Sequence, residues 1–500
     1  MSRPGLLVLA PLRVEANALK RGAPGAEVAV TGQGVARARR SALNLAARCA
    51  GARAIAVAGF GGATHDDLDP GDVVVATEVR GPQGTARLAG VEVLANALSR
   101  QGLRVRTGPC ATVDRVARGA ERSDLARSGV LAVDMESALL ASAAKGHPLA
   151  VVRVVVDTPA RELPSRWTIP DGVRAYRNLR AVGAVLEHWA RAVGPRSVLL
   201  ANPRSFCAGV ERAIEIVERA LERYGPPVYV RKQIVHNRHV VEDLESRGAV
   251  FVDELDEVPS NATVVFSAHG VAPAVREAAE ARDHHVIDAT CPLVAKVHAE
   301  ARRFSRQGYS VVLIGHRHHE ETEGTLGEAP ELQLVDGLDA VGSVEATAPE
   351  RVAYVTQTTL AVDEVSATVD ALRDRFPALV GPKADDICYA TQNRQDAVRA
   401  LAPDCDLVLV VGSSNSSNSK RLVEVATRAG CSSHLIDDER DLRLEWLDGT
   451  RTVGITAGAS APAKFVDDVV DALRALGPVS VEERCVASES VRFALPAEVR

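Results

Sequence analysis

Five hundred residues exceed one ordinary core and predict about two to four domains, and a composition 46% hydrophobic and 25% charged is that of a globular chain. A net charge of −6 provides no global basic field for nucleic acid, and no apolar run approaches the ~20 residues that span a bilayer. Eight cysteines are too few for a disulfide framework, and Met1-Ser2-Arg3-Pro4 shows no leader-like pattern, so a cytoplasmic location with reduced thiols is the expectation.

In chain order, apolar runs at Leu6–Ala10, Val28–Thr31, Ala54–Ala58, Val73–Ala76 and Val151–Val156 predict strands, with a helix over Ala36–Cys49. A helix over Ala181–Ala192 stops at Gly194-Pro195. There the charge reverses: residues 1–195 hold 26 Lys and Arg against 17 Asp and Glu, a net of +9, and residues 196–500 carry a net of −15. Two domains, 1–195 and 196–500, are predicted. The second half repeats a strand–turn–helix theme, with strands at Ser197–Ala201, Val228–Val230, Thr263–Phe266, Val286–Ile287, Ser310–Ile314, Val352–Val355, Leu407–Val411, His434–Ile436 and Thr452–Ile455. Both halves are α/β by this alternation.

Three cysteines stand apart. Cys207 lies in Ser205-Phe206-Cys207-Ala208-Gly209-Val210, Cys291 in Asp288-Ala289-Thr290-Cys291-Pro292-Leu293, and Cys388 in Asp385-Asp386-Ile387-Cys388-Tyr389. The first two follow apolar strands, and all three settings suit a helix start, where backbone N–H groups and the macrodipole favour a thiolate. One cysteine in each third of the second half suggests a single iron–sulfur cluster where three α/β modules converge. Cys49, Cys110, Cys405, Cys431 and Cys485 lack any polar signature and are expected as small buried hydrophobes. Polar runs at other strand ends, among them Val235-His236-Asn237, Ser267-Ala268-His269-Gly270, the His-rich loop around His319 and the Ser/Asn run over Ser413–Ser419, suit an enclosed oxyanion such as diphosphate. Each run alone reads equally as a turn or a structural hydrogen-bonder; their joint occurrence carries the functional reading.

Residues 197–497 resemble the 4-hydroxy-3-methylbut-2-enyl diphosphate reductase family. The resemblance rests on the three cysteine contexts, His269-Gly270, Thr356-Gln357-Thr358-Thr359, the Asn-Ser-Ser-Asn-Ser run at 415–419 and Thr456-Ala457-Gly458-Ala459-Ser460-Ala461-Pro462. It implies that Cys207, Cys291 and Cys388 hold a [4Fe–4S] cluster. His236, His269, His319, Thr358, Ser416, Ser417, Asn418 and Ser460 would bind the substrate, and Glu321 with Thr358 would deliver a proton. The reaction would be the last step of the methylerythritol phosphate route, giving isopentenyl and dimethylallyl diphosphates. Its electrons would come from a ferredoxin- or flavodoxin-type donor. Loss of an allylic hydroxyl needs a Lewis acid, two electrons and a proton source, which an open iron and a buried carboxyl would provide. Arg317-His318 departs from the family pattern at positions without an assigned role.

The first half carries Thr31-Gly32-Gln33-Gly34, Gly59-Phe60-Gly61-Gly62, Val133-Asp134-Met135-Glu136-Ser137 and Arg153-Val154-Val155-Val156-Asp157. The glycines lack the third glycine and following acid of a dinucleotide fingerprint. Together these motifs resemble the purine nucleoside phosphorylase/nucleosidase superfamily. The resemblance implies that Met135 and Glu136 contact a ribose, that Asp157 protonates the leaving base and that Glu15 is the first-strand acid. The spacing to Glu15 is inexact, and Val156 stands where a serine is usual, so a scaffold without activity is the other reading. Two competing functions follow for the whole chain: nucleoside cleavage beside a vestigial cluster domain, and a non-catalytic regulator using zinc. The complete set of three cysteines, Glu321 and Thr358 argues against the former. The absence of any C-x₂-C pair argues against the latter.

Overall fold

The structure, a computed structural model, describes residues 5–144, 146–164 and 167–500; the reading of Met1–Pro4 lies outside them. The chain divides into two compact units. The first runs to Val198 and takes in Asp438–Arg451 and Asp467–Ser480. The second holds Leu199–Asp437, Thr452–Val466 and Val481–Arg500.

The first unit is built on an eight-stranded sheet. The fully buried Leu6–Ala10 pairs in parallel with Glu27–Val30 and with Ala54–Ala63. Ala54–Ala63 runs parallel to Leu149–Asp157, which pairs antiparallel with Val73–Gly81. Val105–Thr112 and Ala132–Asp134 complete the path back to the end of Ala54–Ala63, so five strands close a ring. Leu7, Ile55, Val57, Val74, Val151 and Val155 fill its core, and burial of such β-branched and leucine side chains contributes about 1.5–3 kcal/mol each. The expected strands are present. Val105–Thr112, Ala132–Asp134 and Gly84–Arg87 are additional, and the last helix is Thr168–Ala192, more than a dozen residues longer than expected. Its first turn contains Pro170, which is tolerated there because first-turn N–H groups have no helical partner.

Three separate sheets form the rest, as the three-module expectation requires. Val228–Arg231 lies between Ala249–Val252 and Thr263–Phe266, followed by His285–Asp288, all parallel. Ser310–Ile314 lies between Gln333–Val335 and Val352–Thr356. In the third, the strands run in the order Ser432–Ile436, Leu407–Val411, Thr452–Ala457, Arg196–Asn202, Val479–Cys485. Strand ends therefore supply loops and helix starts from each sheet. Among the other five cysteines, Cys49, Cys110 and Cys431 are buried as expected, but Cys405 is half-buried and Cys485 exposed. Cys485 ends a solvated edge strand whose charged residues keep it from packing.

Candidate active site

Each of the three cysteines is the residue immediately before a helix: Cys207 caps Ala208–Tyr224, Cys291 caps Pro292–Arg306 and Cys388 caps Tyr389–Leu401. They line one cavity of about 110 Å³ in the second unit. Gly209 leaves room for two of them, since an added Cβ there would stand 2.8 Å from the Cys291 sulfur and 3.8 Å from that of Cys207. Arg394, fully buried, locks the Cys207 turn to the Cys388 helix. Its guanidinium donates to the Ser205 carbonyl at 2.7 Å, to the Ala390 carbonyl at 2.9 Å and to Glu489 at 3.0 Å.

The expectation of thiolates at these helix starts is not met by the protein alone. Burial pushes the Cys291 thiol up to about 12 and Cys388 up to about 11, and Cys207 moves in the same direction. Helix-start N–H groups pull the other way and lose to desolvation. A coordinated metal removes such a proton outright, so the trio suits a site whose charge is compensated by a bound cation.

The same cavity gathers every residue assigned to the substrate. His236 and His269 stack with ring centroids 4.1 Å apart, and His319 stands edge-on to both at 5.4 and 5.9 Å. Burial, with neighbouring His269 next, drives His319 down to about 3 and His236 lower still, so both rings are neutral. His319 is further fixed as the cap of Glu320–Leu326, its Nδ1 accepting the Glu321 N–H at 3.2 Å. Ser416 caps Ser417–Arg428, placing Ser417 and Asn418 at a helix N-terminus where N–H groups face an anion. Both polar atoms of the Asn418 side chain and both ring nitrogens of His236 are buried without a protein partner. Such orphaned groups are costly unless a ligand satisfies them. Ser460 donates to the His236 carbonyl at 3.0 Å, closing the cradle.

Glu321 is 2% exposed. Its carboxyl accepts the Thr358 N–H at 2.7 Å and the Thr358 hydroxyl at 3.1 Å. Burial raises its pKa despite those donors, so the carboxyl keeps its proton to higher pH than an ordinary glutamate.

The first unit has its own pocket of about 380 Å³, and it brings together Glu15, Met135, Glu136 and Asp157. Glu15 accepts N–H groups of Leu12 at 2.6 Å and Phe60 at 2.7 Å, and burial lifts its pKa to about 7. Glu136 accepts the Gly34 N–H at 2.6 Å and is likewise raised by burial. Asp157 is not the free acid the motif suggests: buried Arg122 lies 2.6 Å from its carboxylate. Burial still raises Asp157 against that partner. Gly62 gives the pair its space, since a Cβ there would lie 2.7 Å from Arg122 and 2.8 Å from Asp157. Arg122 sits on Gly119–Arg127, outside every quoted motif, and nothing in its local pattern marked it.

Residues 198–474 match the family model of the LytB protein, and residues 17–188 that of the phosphorylase superfamily. A 4-hydroxy-3-methylbut-2-enyl diphosphate reductase of Nocardia farcinica is 61% identical over 307 residues, covering 61% of this chain and 91% of that protein. Its counterpart in Acidithiobacillus ferrooxidans is 57% identical over 301 residues, 60% of this chain and 95% of that one. Among solved structures, the E-1-hydroxy-2-methyl-but-2-enyl-4-diphosphate reductase of Plasmodium falciparum is 36% identical with a TM-score of 0.59, covering 61% of this chain and 97% of that one.

Proposed function

The chain belongs to the LytB protein family, and on that premise we propose that its second unit reductively removes the hydroxyl of 4-hydroxy-3-methylbut-2-enyl diphosphate. The products are isopentenyl and dimethylallyl diphosphates; two electrons and two protons enter and water leaves. The observation that carries this reading is one cavity joining three cysteines, a buried carboxyl and an anion cradle. Cys207, Cys291 and Cys388 fit a [4Fe–4S] cluster, because they line one cavity, Gly209 leaves volume beside the Cys207 and Cys291 sulfurs, and the burial of all three thiols calls for a compensating cation. When bound, that cluster supplies the electrons and a Lewis acid. His236, His269, His319, Ser416, Ser417, Asn418 and Ser460 hold the diphosphate, whose binding energy places the allylic carbon. Glu321 holds the proton to be transferred, with Thr358 fixing its carboxyl. The electron donor is of ferredoxin or flavodoxin type, and eight unbridged cysteines suit a cytoplasmic setting. Anaerobic, iron-loaded full chain given a chemical reductant converts the diphosphate to the two products. An iron-replete preparation with no turnover would overturn the reading.

A second activity is favoured by the first unit's pocket, where Glu15, Asp134, Glu136 and Asp157 line one space. We assign it cleavage of a glycosidic bond, in the domain bounded by residues 1–195, with Glu136 on the sugar hydroxyls and Glu15, half-protonated near neutrality, as base. Glu136→Gln combined with Asp157→Asn abolishes release of base from purine nucleosides and leaves reductase turnover unchanged. Equal loss of both activities in a folded double variant would contradict two independent sites.

A further inference from the structure

The residues lining the second unit's cavity include no lysine and no arginine, yet the ligand proposed for it is a multiply charged anion. Two of its three histidines are held neutral by burial. The third has a different neighbour. Glu320 places a carboxylate oxygen 2.8 Å from Nδ1 of His269, and the donor atoms of His236, His269 and Glu320 all lie within 4.8 Å of one another. Ser267 stands 3.4 Å from the same Nδ1, and the ring's face is covered by His236. Around His269 stand His236, His319, Ser267, Glu320 and Glu321, and of these Glu320 is the one at ion-pair distance; its Oε2 is buried without a hydrogen-bond partner, so the contact is one of charge rather than an aligned hydrogen bond.

We propose that Glu320 is a positioning residue for the anion cradle: it holds His269 through Nδ1, so that the ring meets the diphosphate with its other nitrogen as the cavity's one charged donor. The inference rests on the cavity being the diphosphate site. A carboxylate oxygen buried without a hydrogen-bond partner, 2.8 Å from a ring nitrogen, is compensated by the cationic form of that ring, which carries hydrogen on both nitrogens and can donate from Nε2 to a phosphate oxygen. Such charge-assisted bonds are about twice as strong as neutral ones. Neighbouring Glu321 has its carboxyl turned to Thr358 and does not duplicate the role. Adjacent carboxylates thus divide the work, one on the proton and one on the ring that grips the anion.

The test compares Glu320→Gln and Glu320→Asp with the unchanged holoenzyme. Gln keeps the shape and an acceptor but removes the charge; Asp keeps the charge. For Glu320→Gln, KM for the substrate rises about tenfold or more, the scale of one charge-assisted bond, while kcat stays within about twofold. Affinity of the full chain for inorganic diphosphate, measured by calorimetry, falls by the same factor. Glu320→Asp recovers most of both, and iron content equal to the unchanged protein shows the site intact. Unaltered KM and diphosphate affinity in Glu320→Gln overturn the inference and leave the reductase reading standing. An equal fall in kcat with no change in diphosphate affinity also overturns it. An unchanged protein that binds no diphosphate removes the cradle itself, and with it the reading on which the inference rests.

Discussion

Replacing Glu321 by Gln lowers reductase turnover by at least ~10², while iron content and diphosphate affinity are retained. The substitution is nearly isosteric, and the amide oxygen can still accept the Thr358 N–H that the carboxylate accepts at 2.7 Å. What it removes is a transferable proton, and loss of a positioned general acid costs about 10²–10⁴ in rate. Burial keeps this carboxyl protonated to higher pH than an ordinary glutamate. Turnover of the unchanged protein therefore holds at low pH and falls as pH rises through that elevated value, because the acid form is then lost. The residual activity of Glu321→Gln lacks this alkaline decline. Steady-state rates across pH, with substrate saturating, check both points; near-normal turnover in the variant would place proton delivery elsewhere.

Gly209→Ala separates folding from cluster retention. Gly209 lies in the first turn of Ala208–Tyr224 at an ordinary helical φ, where alanine is the better helix former by up to about 1 kcal/mol. The fold is thus unharmed or slightly firmer. The new methyl, however, falls 2.8 Å from the Cys291 sulfur, closer than carbon and sulfur can approach, so that sulfur or the helix start has to move. We expect iron after anaerobic reconstitution to drop below about half that of the unchanged protein, turnover to drop in proportion or further, and the melting temperature of the iron-free protein to stay or rise. Iron and protein assays beside a thermal melt decide it. Full iron loading in Gly209→Ala would mean that the three sulfurs do not face a shared volume at this glycine.

Much of this arrangement is local in sequence and was legible there. A strand followed by a small-residue turn and an amphipathic helix placed Cys207 and Cys291 at helix starts, and the Ser/Asn run ending at Ser419 read as an anion cradle because capping needs short polar side chains. The thiol state was not legible, since helix-start donors are visible in sequence but burial is a property of the assembled cavity. Arg394 escaped notice for a similar reason: its main partner, Ser205, lies 189 residues earlier. Glu320 was one charge in a run of acids until the fold set it against His269 on another sheet. Strands were missed where the pattern was weak. Val105–Thr112 contains an arginine, a glycine and a proline, and Val479–Cys485 is a charged, solvated edge without alternating burial. In the first unit the motifs located Glu136 and Asp157 in one pocket but gave no hint that Arg122 would pair with Asp157.

The proposed reduction depends on three helix-capping cysteines sharing one metal cofactor. The direct measurement is iron and acid-labile sulfide per chain in anaerobically reconstituted protein, set beside Cys388→Ser and read together with the visible spectrum. The unchanged protein should be brown with about four irons and four sulfides per chain, bleach in air as activity is lost, and Cys388→Ser should hold far less. A colourless, zinc-loaded protein that is fully active in air, or a Cys388→Ser variant with undiminished iron, would contradict it.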